Sequence, residues 1–98
     1  MTFRVEFRPL ASADVAEAFS WYEGQRVGLG AEFEADLDRT LELLSHMAGA
    51  GPIVHRTLRR LLLRRFPFAV YYELAGETVR IRAVGHTRRH PSTWKRRA

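Results

Sequence analysis

The fold is decided by the stretch from Arg56 to Arg97, which reads RTLRRLLLRRFPFAVYYELAGETVRIRAVGHTRRHPSTWKRR. Apolar and polar residues alternate along three segments of it, as they do in strands that bury one face. The first segment runs from Leu58 to Arg65, Phe66 to Phe68 open the second, and the third leads to His86. Because Gly76 supplies the positive φ of a tight turn after Ala75, the second and third segments are predicted to form a hairpin.

The third strand is expected to present two different faces, since successive side chains of a strand alternate. The face predicted to pack on helices carries Val79, Ile81 and Ala83. The face predicted to display arginine beside histidine carries Arg80, Arg82, Val84 and His86. Beyond the strand, Pro91 favours a short helix that places Trp94 and Arg97 one turn apart.

The N-terminal half is predicted to hold one strand and two helices. The strand alternates apolar with charged residues and ends at Pro9. The first helix runs from about Leu10 to Gly24, with Ser12 or Asp14 expected to cap it, and its apolar positions are Val15, Ala18, Phe19 and Tyr22. We expect its two adjacent aromatic residues, Trp21 and Tyr22, to pack rather than to form a stacking site.

After the sequence GQRVGLG a second helical period begins, and its apolar face is formed by Leu29, Phe33, Leu37, Leu41, Leu44 and Ala48. Five acidic residues of this helix are scattered around the solvent side, and we expect them only to aid solubility: Glu32, Glu34, Asp36, Asp38 and Glu42. The segment from Gly49 to Thr57 is predicted to be a loop. Residues 1–98 are therefore expected to form a single α+β domain: an N-terminal strand, an antiparallel helical hairpin on one face of a small, mostly antiparallel sheet, and a short basic C-terminal tail or helix.

Charge is distributed very unevenly along the chain. Residues 1–54 contain four arginines and nine acidic residues, whereas residues 55–98 contain twelve arginines or lysines and two acidic residues. Such asymmetry favours an anionic partner, which for a basic half is nucleic acid, a phosphate-rich ligand or an acidic peptide. The alternative is that the arginines only solvate the surface.

Several classes of protein are excluded by the residues that the chain lacks. It has no cysteine, so it contains neither disulfides nor thiolate metal sites. No phosphate-binding glycine loop, nucleophile elbow or zinc-binding helix motif is present, and His46 and His55 are too isolated to predict a metal site. We therefore expect no cofactor and no metal. Neither a signal peptide nor a membrane span is apparent, and a cytoplasmic location without membrane association is expected.

One chemistry stays compatible with the basic half, which is metal-independent RNA cleavage. That reaction needs a base for the 2′-hydroxyl, an acid for the leaving oxygen and cations for the phosphorane. His86 and His90 titrate near neutral pH, and neighbouring arginines can neutralise phosphate. The structural alternative for His86 is a histidine that only ends a strand.

The residue pattern resembles the ParE/RelE superfamily, the toxins of bacterial type II toxin–antitoxin systems. The resemblance extends over the whole chain and rests on the Trp21-Tyr22-Glu23 helix end, on LLLRRFPFAVYYEL, and on AVGH followed by HTRRHPSTWKRR. The FPF-x-VYYE segment resembles the ParE-like, or plasmid stabilisation, branch most specifically. The resemblance implies a toxin that forms a hetero-oligomer with a small antitoxin, whose acidic and hydrophobic C-terminal segment wraps around it.

The superfamily includes two activities, and the resemblance bears on both. RelE-like members cut messenger RNA on the ribosome, whereas ParE-like members poison DNA gyrase. Where the nucleases carry an arginine early in the third strand, this chain has Ala69, and where they carry a basic residue after the fourth strand it has Thr87. Trp94 lies near the place of a nuclease tyrosine. These departures favour inhibition of DNA gyrase, with an mRNA endoribonuclease that acts on the ribosome as the alternative.

Each activity implies a set of candidate residues. If the chain is a nuclease, the catalytic candidates are Arg65, His86 and Arg89. For binding of gyrase or the antitoxin, the candidates are Arg60, Tyr71, Arg80, Arg82, Arg88, Arg89, Trp94, Arg96 and Arg97. Aromatic and arginine residues dominate the energetics of protein interfaces, and this composition matches that pattern. A third hypothesis is a degenerate toxin that only binds its antitoxin.

Overall fold

A five-stranded sheet with two helices on one face forms the body of the computed structural model, which describes residues 2–98. The elements in chain order are β1 (Arg4–Phe7), α1 (Pro9–Gln25), α2 (Leu29–His46), β2 (Ile53–His55), β3 (Leu58–Leu62), β4 (Phe68–Ala75), β5 (Thr78–His86) and α3 (Ser92–Lys95). The strand order is β1-β5-β4-β3-β2. Among the strands of residues 2–98, β1 runs parallel to its neighbour β5, and the other pairs are antiparallel. The predicted α+β class and the mostly antiparallel sheet are confirmed.

The short connection between α1 and α2 fixes the geometry of the helical hairpin. Gly28 adopts a φ of 90°, which a residue with a side chain rarely tolerates, and this turns the chain into α2. The Glu23 carboxylate accepts hydrogen bonds from the backbone N–H groups of Gly28 and Gly30, each at 2.9 Å. Glu23 thus satisfies two free donors at the start of α2, where the helix dipole also favours a negative charge.

The core between helices and sheet is dominated by aromatic rings. Tyr22 stacks on Phe33 with ring centroids 5.6 Å apart and meets the edges of Phe66 and Phe68 at 4.8 and 5.9 Å. The packing prediction is correct for Tyr22. It is wrong for Trp21, which is 61% exposed and meets the Tyr22 ring edge-on, with ring centroids 5.1 Å apart.

A bulge in β5 changes which face its residues occupy. Tyr72 pairs with Ile81 and Tyr71 pairs with Ala83, so Arg82 is an extra residue without a partner on β4. One extra residue inverts the alternation of side chains beyond it. Ala83 therefore lies on the face away from the helices, whereas Val84 packs in the core beneath them. The prediction that Val79, Ile81 and Ala83 share a face is wrong for Ala83.

The same bulge separates His86 from the strand arginines. His86 pairs with Phe68, whose side chain lies in the core on the helical side, and the two rings are 5.3 Å apart. Arg80 and Arg82 instead reach Glu73 on the opposite side, next to Tyr71. The predicted display of arginine beside histidine on one face is therefore wrong.

The segment predicted to be a loop contains a short edge strand. Ile53–His55 form β2 against β3, with a register shift between Ile53 and His55. The Tyr72 hydroxyl fastens this segment, since it donates to the Ala48 carbonyl at 2.8 Å and accepts from the Gly51 N–H at 2.9 Å. Burial raises the pKa of Tyr72, and the Gly51 hydrogen bond and the charge of Arg59 partly offset this rise.

Asp36 is the clearest exception among the five acidic residues of α2, because its side chain is fully buried. Its Oδ2 accepts the backbone N–H groups of Arg65 and Phe66 at 2.8 and 2.9 Å, and its Oδ1 accepts from Arg39 at 3.2 Å. Burial alone would raise the pKa of Asp36, but the hydrogen bonds from Phe66, Arg65 and Arg39 more than compensate and lower it. The prediction that this residue only aids solubility is wrong, because it fixes the β3–β4 turn to α2.

Within residues 2–98, no helix is both long enough and apolar enough to cross a membrane.

Candidate binding surfaces around the C-terminal segment

The C-terminal helix α3 covers the face of the sheet that the helical hairpin leaves open. Trp94 is 8% exposed and stacks on Tyr71, with ring centroids 4.6 Å apart and planes inclined by 16°. A second, smaller core results, and it consists of Leu58, Ala69, Tyr71, Ala83 and Trp94. Tyr71 and Trp94 are candidate contact residues from the sequence, and in this conformation both are inside the protein.

Arginine side chains fasten this segment to the rest of the molecule. The Arg82 Nε donates to the Arg97 carbonyl at 2.7 Å, and the Arg97 Nη1 donates to the Arg82 carbonyl at 3.3 Å. Both terminal nitrogens of Arg97 also reach the Asp14 carboxylate on α1, one of them at 3.1 Å. Arg82 and Arg97 therefore hold α3 in place, as bidentate arginine–carboxylate pairs do at partly buried sites.

Asp14 has a role that the sequence did not reveal. The sequence predicts Ser12 or Asp14 as the cap of α1, but no side chain of residues 2–98 caps the start of this helix. Instead, the Asp14 Oδ2 accepts the backbone N–H of Val84 at 2.9 Å. The carboxylate thus joins α1, β5 and the C-terminal segment, and no local sequence signal predicts a contact over such a separation.

A cavity of about 580 Å³ opens on the helical side, between α1 and the ends of β4 and β5. Its apolar lining comes from Ala18, Trp21, Tyr22, Phe68 and Val84. Its rim is polar: Asp14 and Glu17 lie on α1, His86 ends β5, and Arg88 and Arg89 follow that strand. Arg89 contacts Glu17 at 3.3 Å, whereas the Arg88 side chain has no carboxylate partner within residues 2–98. The cavity can accept an apolar side chain that is followed by an acidic group.

The position of His86 limits the acid–base chemistry that it can perform. Its Nδ1 accepts the backbone N–H of Arg88 at 3.1 Å, in the turn after β5. In a neutral imidazole, this contact requires the tautomer that has its proton on Nε2. A general base at Nε2 requires the other tautomer, which cannot accept the Arg88 hydrogen bond.

The three candidates for RNA cleavage do not converge on one site. His86 and Arg89 line the same cavity, but Arg65 does not. Arg65 instead bonds Glu32 at 3.0 Å, and its guanidinium lies over the Phe66 ring, 5.6 Å from the centroid. Hydrogen bonds from Arg65 and Arg26 lower the pKa of Glu32. Arg65 is therefore engaged at the α2 side of the β3–β4 turn.

The remaining candidates lie around the second core. Glu73 contacts Arg80 at 3.4 Å and Arg82 at 3.2 Å. Arg60 pairs in register with Tyr71 and is half-buried, and Arg96 is exposed. Within residues 2–98 neither of these two arginines contacts a carboxylate, and no three acidic or histidine residues gather closely enough to hold a metal ion.

Comparisons with known proteins agree with this architecture. Residues 5–91 match the family model described as ParE toxin of type II toxin-antitoxin system, parDE. Among solved structures, the chain is similar to one from the chromosomal ParDE TA system of P. aeruginosa, with a TM-score of 0.78 and 21% sequence identity. The match covers 87% of this chain and 96% of that chain. No curated protein matches the chain.

Proposed function

The chain belongs to the ParE toxin family of type II toxin–antitoxin systems, and from this premise we propose that it inhibits DNA gyrase and is neutralised by a cognate antitoxin. Gyrase inhibition is the activity that the ParE-like resemblance implies. The basic C-terminal half is the proposed contact surface, because it carries most of the cations and is fixed to the body of the protein by Arg82 and Arg97.

The observation that carries the proposal is the closed second core. Ala69 is fully buried where the nuclease relatives have an arginine, and Trp94 stacks on Tyr71 near the place of their tyrosine. At these two positions the chain therefore has a buried methyl group and a packed indole, and neither can stabilise the charge of a phosphorane. Thr87, in place of the basic residue after the last strand, agrees with the same interpretation.

The proposed gyrase contacts are the exposed cations around α3 and after β5. Within residues 2–98, neither Arg88 nor Arg96 contacts a carboxylate, so an acidic or polar partner surface can engage them without breaking an ion pair of that region. Arg80, Arg82, Arg89 and Arg97 have internal partners and contribute mainly by holding the surface in shape. We assign Tyr71 and Trp94 the same structural role.

A gyrase cleavage assay with purified toxin tests the proposal. Wild-type protein is expected to inhibit supercoiling and to stabilise cleaved gyrase–DNA complexes. Arg88→Glu should weaken inhibition about tenfold or more, because it places a like charge in the interface. Arg56→Glu is the matched control, since Arg56 is an exposed cation of the β2–β3 turn and contacts no carboxylate of residues 2–98. The proposal is rejected if wild-type toxin leaves gyrase unaffected.

For the antitoxin we propose the helical-side cavity as the main docking site. An acidic and apolar segment complements an apolar lining beside Arg88 and Arg89. With the antitoxin encoded next to this chain, Trp21→Ala should weaken binding about tenfold. Val27→Ala should leave it unchanged, because Val27 is 88% exposed and lies outside the cavity. The association rate should fall with added salt; equal effects of the two variants would place the antitoxin elsewhere.

Ribosome-dependent cleavage of messenger RNA is the second candidate function. One observation favours it, which is that His86 and Arg89 line the same cavity. Cleavage of mRNA on purified ribosomes that His86→Ala abolishes would support the nuclease and refute gyrase inhibition. Expression that is harmless without the antitoxin would instead support a degenerate toxin that only binds its antitoxin.

A further inference from the structure

A second cleft, of about 300 Å³, lies between the start of α1 and the C-terminal segment. It is lined by Arg8, Pro9, Leu10, Arg82, Arg96 and Arg97. These arginines come from three parts of the chain, so only the folded structure brings them together. The cleft is separate from the helical-side cavity and has no acidic residue in its lining.

Two of the four arginines are held in fixed positions by internal contacts. Arg82 and Arg97 donate to each other's backbone carbonyls at 2.7 and 3.3 Å. Arg97 is also paired with Asp14, and Arg82 with Glu73. Guanidinium groups that are already ordered lose little conformational freedom when an anion binds.

The other two arginines are available for a ligand. Arg8 and Arg96 are exposed, and within residues 2–98 neither has a carboxylate within 4.0 Å. The Arg96 Nε donates to the Ser92 carbonyl at 3.0 Å, which orients the guanidinium and leaves its terminal nitrogens uncommitted in that region. The cleft thus combines two arginines that are paired with carboxylates, Arg82 and Arg97, with two that are not, Arg8 and Arg96.

The balance of charge favours a ligand with at least two anionic groups. Four arginines line the cleft, and two carboxylates pair with them: Asp14 with Arg97, and Glu73 with Arg82. Glu73 is also shared with Arg80. At least two positive charges therefore stay uncompensated. A single carboxylate neutralises one of them, whereas two successive phosphates of a nucleic acid backbone neutralise both, and arginine pairs well with phosphate oxygens.

We propose that this cleft binds the backbone phosphates of DNA without reading its sequence. The proposal goes beyond gyrase inhibition and does not depend on it, since the cleft needs no protein partner to bind phosphate. Its contacts are electrostatic, so affinity should fall steeply with salt and should be similar for duplexes of different sequence.

Fluorescence anisotropy with a labelled 20-base-pair duplex tests the proposal, using the full chain at several salt concentrations. The variant is Arg8→Gln/Arg96→Gln, and the matched control is Arg56→Gln/Arg64→Gln. All four positions are exposed and lack carboxylate partners within residues 2–98, so the two variants remove the same charge without disturbing the core. Thermal melting checks that both fold as the wild type does.

The cleft variant should bind DNA about tenfold more weakly at 0.1 M salt, and the slope of log affinity against log salt should decrease by about 2. The control should keep the wild-type slope. The proposal is overturned if both variants lose affinity equally, or if wild-type protein does not bind the duplex. It is also overturned if the cleft variant loses binding only of inorganic phosphate or of a glutamate-rich peptide, while its binding of DNA is unchanged.

Discussion

Replacing Asp36 by asparagine tests whether one buried carboxylate holds the β3–β4 turn. The substitution keeps the shape of the side chain and removes its charge. An asparagine oxygen in the Oδ2 position can still accept the N–H groups of Arg65 and Phe66, now 2.8 and 2.9 Å away. Its NH₂ group then faces the Arg39 guanidinium, where a donor meets a donor.

The expected loss of stability follows from these contacts. A hydrogen bond to a charged group contributes about 1.5–3 kcal/mol and a neutral one about 0.5–1.5 kcal/mol, so two weakened bonds cost roughly 2 kcal/mol. Relief of the desolvation of a buried charge offsets part of this. We expect a net loss of about 1.5 kcal/mol, or about 8 °C in Tm for a domain of this size. Asp36→Ala should cost about 3 kcal/mol, because it leaves the buried N–H of Phe66 without a partner.

Urea unfolding followed by circular dichroism measures these free energies. Asp38→Asn is the matched control, because Asp38 lies on the same helix, is exposed and makes no ion pair within residues 2–98. It should change the free energy of unfolding by less than about 0.5 kcal/mol.

The pH dependence gives an independent test. The pKa of Asp36 in the folded protein lies below its ordinary value of 3.8, so its stabilising contribution is complete above that pH. The contribution disappears as the pH falls through the lowered pKa. The difference in stability between wild type and Asp36→Asn should therefore be constant from about pH 7 to pH 5 and should shrink below about pH 4. A difference that is the same at pH 3 and pH 7, or an equal loss in Asp38→Asn, would refute the assigned role.

Three further predictions concern the C-terminal helix and the β2 segment. Trp94→Ala should cost about 3 kcal/mol in denaturant unfolding, because it empties the core beside Tyr71. Gly51→Ala should cost about 2 kcal/mol or more in the same measurement, since the added Cβ would lie 2.5 Å from a backbone carbonyl of β3. Asp14→Asn should speed tryptic cleavage of the C-terminal segment several-fold, because it weakens the contact that holds Arg97.

Matched substitutions separate these effects from general damage. Trp21→Ala should cost little, because that ring is 61% exposed. Gly49→Ala should be nearly neutral, as its added Cβ meets nothing within 4 Å. Glu17→Gln should leave tryptic cleavage unchanged, since Glu17 contacts Arg89 and not the C-terminal helix. If a control substitution changes stability or tryptic cleavage as much as the substitution it is paired with, the contact removed by that substitution does not have the proposed effect.

Much of the fold could be read from local patterns. The alternation from Phe68 to Ala75 and the 3.6-residue period of α2 reflect which side chains must be buried, and burial follows directly from residue type. Helix and strand order then predict the layered α+β arrangement. The concentration of cations after His55 likewise needs no coordinates.

The candidate surfaces could be predicted only in part, because their geometry depends on long-range contacts. The bulge at Arg82 puts Ala83 and Val84 on the faces opposite to those predicted. Two consecutive apolar residues, Ala83 and Val84, interrupt the alternation there, but they do not show which residue is the extra one. Asp36 and Asp38 are residues of the same type on the same helix, yet Asp36 is buried and Asp38 is exposed. What distinguishes them is the pair of N–H groups that the β3–β4 turn brings to α2.

The helices, the principal strands, the basic half and the resemblance to ParE-like toxins follow from the amino-acid sequence, because each depends on neighbouring residues or on composition. The folded molecule was needed to show that Trp94 closes a second core over Tyr71, and that Arg8 meets Arg82, Arg96 and Arg97 at one cleft. Those arrangements depend on contacts between residues far apart in the chain, whose energies arise only when the sheet and the C-terminal helix are assembled.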